Sequence, residues 1–295
     1  MCFILYDFVF YKGPASMNKL ITAIALAAAS FPVLAEDVVI STGGRGGSYF
    51  ATGEKLANIL VEYDYAAKAV KSKGSVENIE RVAEGEASMG FAQLDALAWW
   101  MNRNPEKAGS LKVLGNLYSE CVYVAVNPNS SVDSEGDLQS ADAKVAVQKR
   151  GSGSAVTWSY MQELEPDFAE GTTHFQGGLQ LLNQLADNPD GEVNAFLWVS
   201  DPLNLDQRYL KTVLENENLE LVDIEDWDLN DKHPELGRPI YRFEEPDVAK
   251  GMVFDTELST ICMDAVVVAS TSADDDMLDD VVDVLTVNRG RLFDN

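Results

Sequence analysis

Two glycine-rich loops concentrate the residues of this 295-residue chain that could hold a small ligand. The first, Gly43-Gly44-Arg45-Gly46-Gly47-Ser48-Tyr49, lies between a short apolar run and an amphipathic stretch. The second, Lys149-Arg150-Gly151-Ser152-Gly153-Ser154, has the same setting about a hundred residues later. Glycines let a backbone approach a ligand closely, and a helix that starts just after them offers unpaired N–H groups and a partial positive charge, which suits a carboxylate. Arg45, Lys149 and Arg150 add formal positive charge, and Ser152 and Ser154 add hydroxyls. Paired loops of this kind predict a ligand clamped between two lobes.

Catalytic readings of the same residues fail on spacing. Gly53 is followed by Glu54, so the phosphate-reaching lysine of a Walker loop is missing, and Tyr49 stands where the third glycine of a dinucleotide fingerprint belongs. Gly151-Ser152-Gly153-Ser154-Ala155 lacks the final glycine of a nucleophile elbow, and no motif links His174 to a serine. His174 and His233 are far apart, without a second histidine or cysteine at zinc-ligand spacing. Acidic residues are too numerous for any two to stand out as a glycosidase pair, and no calcium loop is present. The sequence thus assigns no catalytic residue, no metal ligand and no cofactor.

The chain carries 48 acidic against 22 basic residues, a net charge of −26, which argues against a nucleic-acid partner because phosphate contacts need Lys and Arg. From Met17 it reads MNKLITAIALAAASFPVLA: a basic start at Lys19, an apolar core, and small residues Val33 and Ala35 before a cut. We therefore expect a signal peptide within residues 1–35, a true start at Met17 rather than Met1, cleavage after Ala35, and a periplasmic mature protein. The apolar run is broken by Pro32 and falls short of the roughly 20 residues of a spanning helix. Cys121 and Cys262 sit inside apolar strand-like runs. An oxidising compartment allows them to form a disulfide, although buried unpaired thiols are the commoner outcome.

The elements that must position the loops follow an α/β rhythm. Strands are expected at Val38–Ser41, Ala66–Lys71, Ser88–Gln93, Lys144–Lys149 and Val193–Val199. Helices are expected from Ser48, from an N-cap at Ser75, from Asp95, over Thr157–Leu164 with a stop at Pro166, over Gly177–Ala186, and after Asp274. Residues 223–250 are the least regular. Extended segments near Tyr123–Asn129 and Ile261–Ser270 read as crossings between two doubly wound lobes, one of residues 36–124 with 264–295 and one of residues 125–263.

The order GGRGGSYFATGEKLANIL, SKGSVENIERVAEGEASMGFAQLDAL, LGNLYSECVYVAVNPNSSV, KVAVQKRGSGSAVTW and VNAFLWVSDPLN resembles the TAXI-type solute receptors of TRAP transporters. The resemblance covers roughly Val38 to Leu203, and the Ser75-Val76-Glu77-Asn78 run is its most specific part. It implies a type 2 periplasmic binding protein, monomeric, with no chemistry of its own. Its lobes would close on a small anionic solute such as glutamate, a dicarboxylate or a 2-oxoacid, for delivery to TRAP membrane permease subunits. By motif match the ligand contacts would be Gly47, Ser48, Tyr49, Ser75, Gln93, Ser152, Gly153 and Ser154, with Arg45 and Arg150 as nearby cations and Trp198 packing on the ligand's carbon chain or in the lobe core. Arg45 departs from the small or polar residue usual there. A sensory module of the same fold and an exported enzyme are the competing functions.

Overall fold

The computed structural model describes residues 37–248 and 258–293. The expectations at Met1, Met17 and Ala35 lie outside them. In chain order the elements are β1 (Asp37–Ser41), α1 (Ser48–Glu62), β2 (Ala66–Val70), α2 (Ser75–Ala83), β3 (Met89–Gln93), α3 (Leu94–Arg103), α4 (Pro105–Ala108) and β4 (Leu111–Val126). There follow α5 (Glu135–Leu138), β5 (Lys144–Ala146), α6 (Gly153–Leu164), β6 (Thr172–His174), α7 (Leu179–Asp187) and β7 (Ala195–Ser200). The chain ends with α8 (Arg208–Leu214), β8 (Glu220–Leu221), β9 (Arg242–Glu244), β10 (Thr260–Ser270), α9 (Asp275–Thr286) and α10 (Gly290–Phe293).

The strands form one sheet in the order β2-β1-β3-β10-β4-β7-β5-β6, with β8 added on β4 and β9 on β10. Strand β1 runs parallel to β2 and β3, and β5 runs parallel to β6 and β7. Between these parallel groups lie β4 and β10, antiparallel to each other and to their outer neighbours. The first part of β4 pairs with β10, and from Cys121 onward it pairs with β7. Two strands thus pass from one parallel group to the other, the two-lobed α/β architecture expected from the extended segments. The run LKVLGNLYSECVYVAV forms a single 16-residue strand.

Cys121 and Cys262 face each other in the register of the crossing strands, with Cα atoms 4.0 Å apart, and form a disulfide across 141 residues of sequence. This replaces the buried-thiol expectation. Each cysteine sits in an apolar run, and only the long-range register shows that the two runs are neighbours. Closing so long a loop in the unfolded chain contributes on the order of 3–5 kcal/mol in the chain-entropy description.

Among the described residues, three apolar clusters hold the elements. Leu56, Ile59 and Leu60 of α1 and Met277, Val281 and Leu285 of α9 pack with Val38, Ile40 and Val267 of the sheet. Leu181, Leu182 and Leu185 of α7 pack on Phe196 and Trp198. A larger cluster joins α3 to α6 through Leu97, Trp100, Trp158 and Met161. Helix α7 begins at Leu179 rather than Gly177, and Leu179 is exposed while Leu181 is buried, so the buried stripe does not follow the three-residue spacing of the leucines.

Candidate functional site

The first loop is fixed from below by Asn78 of α2. Its amide donates to the Phe91 carbonyl at 2.6 Å and to the Thr42 carbonyl, while its Oδ1 accepts from Ser41 at 2.6 Å. One buried side chain therefore ties the ends of β1 and β3 together and holds Thr42 and Gly43 in place. Helix α1 comes down on the same point: a Cβ on Gly53 would meet the Thr42 side chain at 2.3 Å, so only glycine allows this approach. The α1 N-terminus then opens at Ser48, with Gly47 as its cap.

The second loop leaves β5 through Gln148, a non-glycine residue at φ 65°, and Gly151 at φ 76°. Left-handed backbone at a residue other than glycine costs energy and tends to cluster at functional positions. It aims the Gln148 amide at Ser154 Oγ, 3.1 Å away. Ser152 caps α6 by accepting from the Ala155 N–H, so the helix starts at Gly153, four residues earlier than expected.

These two loops and the start of α2 share one cavity of about 290 Å³. Its lining includes Gly47, Ser48 and Tyr49, Gly74 and Ser75, Gln93, and Ser152, Gly153 and Ser154. The N-termini of α1, α2 and α6, helices of 15, 9 and 12 residues, converge there with their first N–H groups and the positive ends of three dipoles. Eight of the residues singled out in the sequence are thus brought together. The second loop also meets the end of β3, since a Cβ on Gly153 would stand 1.8 Å from Gln93 Oε1.

Three expected residues are not at this cavity. Arg45 is exposed, lies 5.9 Å from the centroid of the Phe50 ring, and lines a separate surface hollow with Lys68, Lys71 and Arg81. Arg150 stacks on Phe175 at 3.6 Å. Trp198 is fully buried, stacked on Tyr123 and Phe196, because the β4–β7 register sets it opposite Tyr123 on the core side of the sheet. Ser75 is the first residue of α2 rather than its cap; its hydroxyl instead accepts from the Gln93 backbone N–H at 3.1 Å.

The cavity also holds residues that motif reading passed over, among them Tyr118, Glu120, Gln148, Asp201 and Asn204. Tyr49 donates to Glu120 Oε2 at 2.9 Å. Burial pushes the Glu120 carboxyl up to about 7, eased by the Tyr49 hydrogen bond and reinforced by the charges of Asp95 and Asp201. Behind the cavity wall runs a buried polar chain. The Gln93 Nε2 donates to Thr157 Oγ1 at 3.4 Å, Thr157 donates to Asp95 Oδ2 at 2.6 Å, and the Tyr241 hydroxyl reaches the same oxygen at 2.9 Å. Burial raises Asp95 to about 6, with the Thr157, Tyr241 and Ala96 hydrogen bonds pulling the other way. A lone acid inside a strand-like run such as SECVYV carries no local motif. Its only signal is that it interrupts an otherwise apolar stretch.

Residues 40–291 match the NMT1-like family. The chain belongs to that family. It is a family of periplasmic solute-binding proteins of type 2-like fold. Among solved structures, XAC2383 from Xanthomonas citri bound to ATP is 11% identical, with 88% of each chain covered and a TM-score of 0.53. The same protein bound to chloride ion is 12% identical, covers 88% of this chain and 89% of that one, and also has a TM-score of 0.53. The GluR0 ligand-binding core in complex with L-glutamate is 15% identical, with coverages of 88% and 96% and a TM-score of 0.49. The XAC2383 likeness establishes the fold and says nothing of the ligand. Among the described residues, no helix is long and apolar enough to cross a membrane.

Proposed function

We propose that this chain is the extracytoplasmic receptor of a TRAP-type transporter, TAXI subtype, that captures a small carboxylate-bearing metabolite in the cavity between its glycine loops. The observation that carries the reading is the convergence of three helix N-termini on one cavity lined by serine hydroxyls. Such a site holds a carboxylate by backbone N–H groups and dipoles without a lysine or arginine. Gly47, Ser48, Tyr49, Ser75, Gln93, Ser152, Gly153 and Ser154 are the contacts we assign. Ser154 Oγ accepts from both Gln148 Nε2 and the Val199 N–H, which leaves its own proton free to donate to a ligand.

The lobes we place at residues 36–124 with 264–295 and at 125–263, so that the Cys121–Cys262 bridge lies at the crossing. Binding free energy then favours the closed arrangement, in which Gly153 meets Gln93, and the membrane permease recognises that arrangement. The chain itself carries out no reaction. Thermal melting against a panel of amino acids, dicarboxylates and 2-oxo acids tests this. A bound solute at a hundred times its Kd adds about 2.7 kcal/mol, a rise of roughly 5 °C or more for a chain of this size. Turnover of a panel member in place of a stabilising shift would replace the receptor by an enzyme.

A further inference from the structure

We propose that the cavity contains a dedicated ammonium subsite formed by Glu120, Asp201 and Tyr118, so that its solute is a zwitterionic amino acid or short amino-carboxylate rather than an amine-free dicarboxylate. The inference rests on the receptor reading above and specifies its substrate class.

The charge of the lining is the first observation. Among the described residues no lysine, arginine or histidine lines the cavity, and the carboxylic acids that line it are Glu120 and Asp201. Among the described residues neither takes part in a salt bridge. The β4–β7 register brings them together: Cys121 lies opposite Ser200, so Glu120 and Asp201 are the next residues at the same end of the two antiparallel strands. Two acids on adjacent strands with no cation beside them disfavour a second carboxylate on the solute, and an ammonium placed between them favours the charged form of Glu120 that burial otherwise opposes.

The unused hydrogen-bonding capacity is the second. Glu120 Oε2 accepts from Tyr49, and its Oε1 has no donor among the described residues. Among the described residues the buried Tyr118 hydroxyl makes no hydrogen bond of full geometry, and the Ser48 hydroxyl lies close enough for a weak one. Burial and the nearby charges of Glu120 and Asp201 raise this phenol, which places both carboxylates in its neighbourhood. An alkylammonium offers three N–H donors. Glu120 Oε1, the Asp201 carboxylate and the Tyr118 oxygen are three acceptors for them, while the helix N-termini remain for the carboxylate of the same molecule. A cavity of about 290 Å³ holds roughly ten water-sized groups, the size of a single amino acid.

The test compares near-isosteric pairs by calorimetric titration of the full chain in the presence of a chelator: L-alanine against L-lactate, and L-aspartate against L-malate. The amino member of at least one pair should bind tenfold or more tightly than its hydroxyl counterpart. In Glu120→Gln that preference should fall to within about threefold, and Asp201→Asn should reduce it independently, so that a folding defect in one variant does not decide the matter. If lactate or malate binds as well as its amino counterpart, the receptor stands and the ammonium subsite falls. If a divalent cation added without the chelator and without any amino acid gives the stabilising shift, the subsite belongs to a metal ion. Silence of every carboxylate tested would overturn both the subsite and the receptor reading beneath it.

Discussion

Gly153 is the point at which the two halves of the cavity meet, and adding one methyl group there separates the closed arrangement from the stability of the fold. The new Cβ would stand 1.8 Å from Gln93 Oε1 and 2.8 Å from its Cδ. Non-bonded contact begins near 3.5 Å, so the Gln93 amide has to retreat by roughly 1.5 Å or the second loop has to draw back from β3 by as much. Retreat is not free. Gln93 is only 4% exposed, and its side chain bonds to Ser75 at 3.5 Å and Thr157 at 3.4 Å. Giving up both bonds costs about 1–3 kcal/mol, which is roughly a 5- to 150-fold loss of affinity if the contact belongs to the closed arrangement. In a form with the loops apart, the same substitution restricts the unfolded chain at a helix position of ordinary backbone geometry and adds about 0.4–1 kcal/mol of stability. Gly153→Ala should therefore weaken solute binding by roughly 5- to 150-fold in calorimetry, with the melting temperature of the unliganded protein unchanged or slightly higher. Wild-type affinity, or a loss of stability in step with the loss of affinity, would refute the argument.

Other expectations follow from the same geometry. Burial holds Asp95 near 6 against an ordinary 3.8 and Glu120 near 7 against 4.5, so across that range the native form binds more protons than the unfolded chain. These two groups make stability fall as pH rises from about 4 to 7, each by on the order of 3 kcal/mol. Asp95→Asn should remove its share of that slope in denaturant titrations at pH 4.5 and 7.5; an unchanged slope would mean that Asp95 is not the group responsible. Replacing Cys121 and Cys262 together by serine should lower the melting temperature by roughly 10 °C, and in the wild type the buried bridge should resist a mild reductant until the protein unfolds. Rapid reduction of the native protein would contradict the burial. Ser154→Ala should cost about 1–3 kcal/mol of stability as well as affinity, because it leaves the Val199 N–H without its acceptor; a melt unchanged from wild type would contradict that.

The loops and their helices were legible because they depend on local chemistry: a strand, glycines, then a hydroxyl at the head of an amphipathic helix. That grammar located β1 with α1 and led from β5 toward α6, and with the resemblance it named eight residues that line one cavity. What escaped was set by register between distant strands. Trp198 lies in Ala195–Val199, which is apolar throughout, so nothing in AFLWV tells which face each residue takes; pairing with Tyr123 buries it. Arg45 and Arg150 were drawn in by sequence proximity to the glycines, but a long side chain on a loop can turn outward onto an aromatic ring, as both do. Glu120, Asp201 and the Cys121–Cys262 bridge all sit at one handover of the crossing strands, a place visible only once β4, β7 and β10 are aligned.

The most direct test of the account is the location of the bound solute in a crystal of the saturated protein. We predict density for one small molecule in the cavity, with a carboxylate on the N–H groups at the starts of α1 and α6 and a hydrogen bond from Ser154 Oγ. Density at the surface hollow beside Arg45 and Lys68, with the cavity between the loops holding only water, would contradict it.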